Sequence, residues 1–353
     1  MVKHLNMKPF KLDNLIRENV KRLKPYSSAR DEFKQVDADL IFLDANENPF
    51  ENGVNRYPDP QQRNLKSVLA AQKKLRENQI LLGNGSDEVL DLIFRAFCEP
   101  YLDNVITLPP TYGMYKVLAE TNAIENREVL LNDCLQPNIS AVLKRADKKS
   151  KLLFICSPNN PTGNRLDDDK IQNLLENFTG LVVIDEAYID FSTSLSWIHK
   201  LEEFSNLIIT QTLSKAYGMA GIRLGICYAS AAIISVLNKI KPPYNVNELT
   251  QLKALERVLD QTEVKKEVVK IVKERDNLIK SLKDIPYIKH IYETDANFVL
   301  VRVDDANLRY RQLIGQGVVV RNRSTQPLCE NTLRFTIGTS QENMKLMEAL
   351  QKI

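Results

Sequence analysis

Short runs of Val, Ile, Leu and Phe recur at 79–82, 104–108, 151–156, 181–185, 207–212 and 224–229, separated by stretches in which apolar residues return every three or four positions. Continuous apolar runs of that length predict strands buried on both faces, and the intervening period predicts helices. Their alternation is the α/β rhythm of a mostly parallel sheet flanked by helices. After Pro242 and Pro243, the charged stretch 248–282 keeps its apolar residues three and four apart, which predicts one long amphipathic helix, straight or bent, connecting two units. Beyond Pro286 the pattern restarts with strands at 297–303, 317–320 and 332–337 and helices near 307–315 and 341–352, a smaller α+β unit.

Composition narrows the function classes. The 353 residues, 43% hydrophobic and 26% charged, suit two packed globular domains. Lys+Arg 48 against Asp+Glu 45 gives a formal charge of +3, and the basic clusters are interleaved with acids or sit at helix ends, so no nucleic-acid partner is expected. The opening MVKHLNMKPFKLDNL has no apolar signal core, and no apolar run approaches the roughly 18 residues that cross a bilayer. A soluble cytoplasmic protein without a membrane partner is the expectation. The five cysteines are odd in number and mostly flanked by apolar residues, which reads as buried free thiols. With only three histidines, none beside another His or a Cys, neither a metal site nor a Cys/His nucleophile pair has support. The reactive chemistry of such an enzyme belongs to a cofactor.

Four segments at predicted strand ends carry candidate chemistry, because ligands of open α/β sheets bind outside the carboxyl ends of strands. In LLGNGSDEVL, Gly83 and Gly85 turn the chain and Ser86 and Asp87 open a helix whose free N–H groups could hold a phosphate; an ordinary capped helix is the alternative. In SPNNPTG, two prolines forbid helix and Asn159 and Asn160 offer amides at a strand end. In LVVIDEAYIDF, Asp185 ends an apolar strand, which buries a carboxylate unless something cationic meets it, and Tyr188 follows. In TQTLSKAYGMAGIRLG, Lys215 is either a solvated loop residue or a desolvated amine suited to a Schiff base, with Arg223 eight positions on.

The order GSD, NNPTG, DEAY, SK, R resembles the fold-type I pyridoxal-phosphate aminotransferases. The strings LKPYSSAR, LDANENP, NRYPDPQ, GNGSDEVLDLIFRAFCEP, PPTYGMY, TLSKAYGMAGIRLG, KPPYNVN, GVVVRNR and TLRFTIGT make the chain more similar still to the histidinol-phosphate aminotransferases, over essentially its whole length. The resemblance implies a mostly parallel seven-stranded sheet in a large cofactor-binding domain (41–285) and a small domain (286–353) joined by an N-terminal arm (1–40). It implies pyridoxal 5'-phosphate as cofactor. Lys215 would form the Schiff base and shuttle the proton, Asp185 would pair with the ring nitrogen, Asn160 and Tyr188 would bond the ring oxygen, and Tyr112 would stack on the ring. Ser86, Asp87, Thr212, Ser214 and Arg223 would hold the phosphate, with Tyr57 reaching it from the partner subunit of a homodimer. Tyr26, Asn46, Arg321 and Arg334 would line the substrate side. The implied reaction moves an amino group between L-glutamate and imidazole-acetol phosphate, giving L-histidinol phosphate. An aromatic amino-acid aminotransferase or a decarboxylase of an amino-acid phosphate is the alternative, since relatives share the cofactor strings. The resemblance constrains the loop 322–330 poorly, and the segment 125–149 carries no string that matches.

Overall fold

A computed structural model of the chain describes residues 10–25 and 41–353. Its main sheet has seven strands: β1 (Ile80–Asn84), β2 (Asn104–Thr107), β3 (Glu125–Glu128), β4 (Ser150–Cys156), β5 (Leu181–Asp185), β6 (Leu207–Thr212) and β7 (Leu224–Ala229), in the order β1-β7-β6-β5-β4-β2-β3. β7 runs antiparallel to both its neighbours, and the other pairs are parallel. Successive side chains of a strand leave by opposite faces. In β5, Leu181 and Val183 therefore join the core under helices Gly85–Phe97, Met114–Thr121 and Ala231–Ile240, while Val182 and Ile184 join the core under Arg63–Lys73, Asp168–Asn177 and Glu248–Leu259. Both faces are covered, which is why these strands read as unbroken apolar runs. Each such side chain contributes about 1.5–3 kcal/mol when fully buried, and a slip by one residue would exchange the two faces.

β3 has no counterpart in the apolar pattern, because ENRE is wholly polar. It lies at the sheet edge, paired only with β2, where charged residues are tolerated and discourage edge-to-edge association.

The second sheet is antiparallel: β8 (Ile288–Ile291), β9 (Phe298–Val303), β10 (Arg321–Asn322) and β11 (Thr332–Thr336), in the order β10-β11-β9-β8. One face packs with helices Ala306–Gly315 and Ser340–Lys352 in a third core containing Val299, Val301, Leu333 and Phe335. The expected strand at 317–320 is absent. Gly317 (φ +78°) and Val318 donate their N–H groups to Ile314 and Leu313 and so close the preceding helix, and only the two residues of β10 then pair. The expected single helix over 248–282 is two, Glu248–Leu259 and Gln261–Leu282. Asp260 leaves helical geometry (φ −88°, ψ 56°), and its carboxylate accepts from the Glu263 N–H at 3.2 Å, capping the second helix. That second helix packs Val264, Val268 and Val272 against the large sheet's core and Leu278 and Leu282 against the small one's.

Part of the arm is described. Leu15 and Val20 bury in the core under Gly85–Phe97 and Ala231–Ile240, and Arg17 forks onto Glu99 at 3.1 and 3.3 Å, so this stretch packs on the large sheet's helices rather than on the small unit. Four cysteines are buried thiols; Cys134 departs from the expectation and is exposed in the turn near Asn132. No helix among the described residues is long and apolar enough to cross a membrane.

Candidate active site

The carboxyl ends of β4, β5 and β6 open on a cavity lined by Ser86, Asp87, Tyr112, Cys156, Asn160, Asp185, Tyr188, Thr212, Ser214, Lys215 and Arg223. The seventy-odd residues separating Tyr112 from Tyr188, and the further stretch to Arg223, are brought together because each parallel strand returns to the same edge before its loop.

Asp185 is the deepest charge. As the last residue of β5 it shares a face with Leu181 and Val183, and it is 3% exposed. Its Oδ2 accepts from the Tyr115 hydroxyl at 2.9 Å and its Oδ1 from the Ala187 N–H at 3.2 Å. Burial pushes its carboxyl above the ordinary range, against the pull of the Tyr115 hydrogen bond. No described lysine or arginine bridges it, so the site can accept a cation there. Tyr115 was not a candidate from sequence. It stands three residues after Tyr112 in PPTYGMY, and a buried carboxylate's need for a hydroxyl donor was the only available signal.

Lys215 follows β6 by three residues in a turn closed by Gly218 N–H to the Lys215 carbonyl at 3.0 Å. It is half-buried, and its Nζ lies 5.7 Å from the centre of the Tyr188 ring. Burial first, then the nearby Arg334 charge, lowers its pKa. Of the two readings open in the sequence, the desolvated amine is the one the geometry supports. Tyr188 is buried, and burial raises its pKa and keeps the phenol protonated. Its oxygen accepts from Asn160 Nδ2 at 3.5 Å, and Arg334 Nη1 donates to Asn160 Oδ1. Asn160 thus ties the large sheet to the small one. Asn159 has a different duty: its amide bonds the Pro110 carbonyl at 2.8 Å and Thr162 Oγ1 at 2.7 Å, fixing the loop itself.

At the other end of the cavity the chain approaches itself closely. Gly85 (φ +75°) starts the helix Gly85–Phe97, and no side chain caps it. A Cβ on Gly85 would meet Arg223 Nη2 at 2.6 Å, and one on Gly225 would meet Gly85 C and Ser86 N at 2.3 Å. The missing side chains let Arg223 lie over the helix start, where N–H groups and the helix dipole favour an anion. Arg223 Nη1 donates to Ser214 Oγ at 3.4 Å, and its Nη2 lies 3.6 Å from Asp87 Oδ2. Asp87 also accepts from the Tyr112 hydroxyl at 3.0 Å. Thr212 lines the cavity, but its hydroxyl donates to the Leu224 carbonyl at 3.2 Å and accepts from the Ser214 N–H at 3.1 Å, so its proton is already committed to the backbone.

The remaining candidates divide. Arg334, on β11, is half-buried, its guanidinium carbon 5.0 Å from the Phe298 ring, and burial lowers its pKa to about 10. Arg321 is exposed on β10, directly across from Arg334. Asn46 and Tyr57 lie outside the Lys215 cavity, lining a separate surface hollow with Arg56 and Leu249; Tyr57 stacks on Tyr244 at 4.5 Å. Tyr26 lies outside the described residues. Arg323, absent from the sequence candidates, sits close enough to Tyr188 and Arg334 to influence the titration of both.

A family model, "Aminotransferase class I and II", matches residues 38–350. A histidinol-phosphate aminotransferase of Flavobacterium johnsoniae is 62% identical over 346 residues, covering 98% of this chain and 99% of that protein. Among solved structures, a histidinol-phosphate aminotransferase from Clostridium acetobutylicum superimposes with TM-score 0.79 at 26% identity, over 85% of this chain and 90% of that one. One from Sinorhizobium meliloti, solved in complex with pyridoxal 5'-phosphate, shares the fold with TM-score 0.77 at 22% identity, over 84% and 83%. The architecture is that of the fold-type I transferases, and the chain belongs to the class I and II aminotransferases and, within them, to the histidinol-phosphate aminotransferase family.

Proposed function

We propose that the protein transfers an amino group between L-glutamate and imidazole-acetol phosphate, giving L-histidinol phosphate, with pyridoxal 5'-phosphate as its cofactor. The observation that carries this reading is the pairing, across one cavity, of a buried carboxylate that no described Lys or Arg bridges with a half-buried lysine of lowered pKa. The residues fit the cofactor on structural grounds. The two glycines leave an anion cradle under Arg223 that a Cβ would fill, and Asp185 can meet a ring cation that would relieve its desolvation.

Arg223, Ser214 and the N–H groups of Ser86 and Asp87 would hold the phosphate; Asp87 contributes backbone only, because its carboxylate is engaged with Arg223 and Tyr112. Asp185 would pair with the ring nitrogen. Tyr188, kept protonated by burial, would donate to the ring oxygen beside Asn160. When bound, the cofactor supplies an electron sink for negative charge at the substrate's Cα. Lys215 Nζ takes the proton from that Cα in the donor half-reaction and returns one in the acceptor half, a role that its lowered pKa favours. Arg334 orients the substrate anion, since a guanidinium fork suits both a carboxylate and a phosphate. These groups come from both sheets. The division into a cofactor-binding domain, 41–285, and a small domain, 286–353, is supported by the separate core beneath β8–β11. The exposed position of Tyr57, away from Lys215, supports a homodimer in which it serves the partner's cavity.

The test is steady-state transamination from L-glutamate, with imidazole-acetol phosphate and phenylpyruvate compared as acceptors. The phosphate ester should be the better substrate, and Lys215→Ala should abolish turnover of both. Borohydride should fix the pyridoxyl group on the peptide containing Lys215. A preference for phenylpyruvate, or CO2 release without amino transfer, would overturn the substrate assignment.

A further inference from the structure

The inner face of the small sheet, opposite its helix-covered side, carries Arg302 on β9 and gathers three further guanidiniums at its β10–β11 edge. Arg321 of β10 is directly opposite Arg334 of β11, and Asn322 is opposite Leu333. The pairing continues one residue further, with Arg323 N–H donating to the Thr332 carbonyl at 2.9 Å. Alternation then places Arg321, Arg323 and Arg334 on one face, with Leu333 on the other, in the small core. The arginine face is the one that meets the large sheet, since Arg334 donates to Asn160 and lies over Phe298.

This cluster is costly as it stands. Arg323 and Arg334 are half-buried, and the Nε of each is enclosed without a hydrogen-bond partner. None of the three forms a salt bridge with a described carboxylate. Burial and mutual repulsion both lower the Arg323 and Arg334 pKa values. Like charges gathered in a half-desolvated place are stabilised by an anion that bridges them. A carboxylate carries one charge and two oxygens, which a single fork satisfies. A phosphate monoester carries close to two charges and three terminal oxygens, enough to engage a second and a third guanidinium.

We propose that Arg323 is a specificity-determining residue which, with Arg321 and Arg334, makes this face a site for the phosphoryl group of the substrate. The inference rests on the substrate reading above and adds a residue to it. It also gives a purpose to the loop after Arg321, whose turn, closed by Gln326 N–H to the Arg323 carbonyl at 2.9 Å, fixes where this arginine stands.

The experiment compares the holoenzyme with Arg323→Gln and Arg323→Lys, reading KM and kcat for imidazole-acetol phosphate and for L-glutamate, and competitive inhibition by inorganic phosphate. Arg323→Gln should raise the KM for the phosphate ester and the phosphate inhibition constant about ten- to a hundred-fold, with a rise of only about threefold for L-glutamate and little change in kcat. Arg323→Lys, which keeps the charge but loses the fork, should fall between, and it carries the test if the Gln variant does not fold. Unchanged constants, or equal rises for both substrates, would overturn the role of Arg323. Wild-type enzyme that fails to turn over imidazole-acetol phosphate would instead overturn the substrate reading itself.

Discussion

The two carboxylate oxygens of Asp185 accept from the Tyr115 hydroxyl and the Ala187 N–H, with the Thr210 hydroxyl near enough to favour the charged form as well. Tyr115→Phe removes the hydroxyl and leaves Oδ2 buried without it. Such a loss costs about 1–3 kcal/mol, and the Asp185 pKa should rise further because that hydrogen bond opposes the effect of burial. Urea denaturation of the apoenzyme should show the destabilisation, and equilibrium dialysis should show weaker cofactor binding; neither change would occur if Tyr115 were only core filling. Glu186, the next residue, leaves by the other face. Its oxygens accept from the Trp197 N–H at 2.7 Å and from Gln211 Nε2 at 2.9 Å, and burial raises its pKa to about 7. A raised acid is protonated in the folded chain while the unfolded chain is already ionised, so stability falls as pH rises from about 4.5 to about 7 and is level above that. The expected loss is about 3 kcal/mol. In Glu186→Gln, which mimics the protonated form, the fall in denaturation midpoint over that window should be much smaller, and an identical fall would refute the assignment.

At the scale of elements, the start of helix Gly85–Phe97 is set by its contact with β7. Gly225→Ala drives a methyl into the backbone of Gly85 and Ser86, and overpacking of this kind costs about 1–3 kcal/mol or more. Cofactor affinity should drop along with the melting temperature, because the displaced backbone is the anion cradle. Gly315→Ala, whose added Cβ would meet nothing within 4 Å, is the control and should melt as the wild type does. Elements were unevenly legible. β5 and β6 are buried on both faces and announce themselves as apolar runs; β3 is polar at an edge and announces nothing. The run 317–320 looks like a strand because Val318 and Val320 alternate inward, yet its N–H groups are used to end a helix. Asp260 reads as one more polar position on a helix face until its backbone and its capping carboxylate are seen together.

For the whole molecule, the proposal that Tyr57 serves the partner's cavity predicts complementation between two defective chains. Tyr57→Ala should lower activity at limiting cofactor, and Lys215→Ala should have none. In a re-equilibrated equal mixture, half the dimers are hybrids with one intact site each, so about a quarter of wild-type sites should return. Activity equal to the sum of the separate variants would refute the shared site.

The α/β class, the central strands and the glycine turn before Ser86 were legible in the sequence, and its strand ends offered Lys215, Asp185, Asn160, Tyr188 and Arg223 as candidates that the family resemblance joined in one site. The class and the candidates follow from side-chain period, backbone sterics and the positions of strand ends, all of them local along the chain. Folding in three dimensions was needed to show that Tyr115 supports Asp185 from 70 residues away, that Arg334 reaches Asn160 across 174, that the Thr212 hydroxyl is spent on the backbone, and that Arg323 shares a face with Arg302, Arg321 and Arg334. Such pairings depend on which strands become neighbours and in what register, and no short window of sequence contains that information.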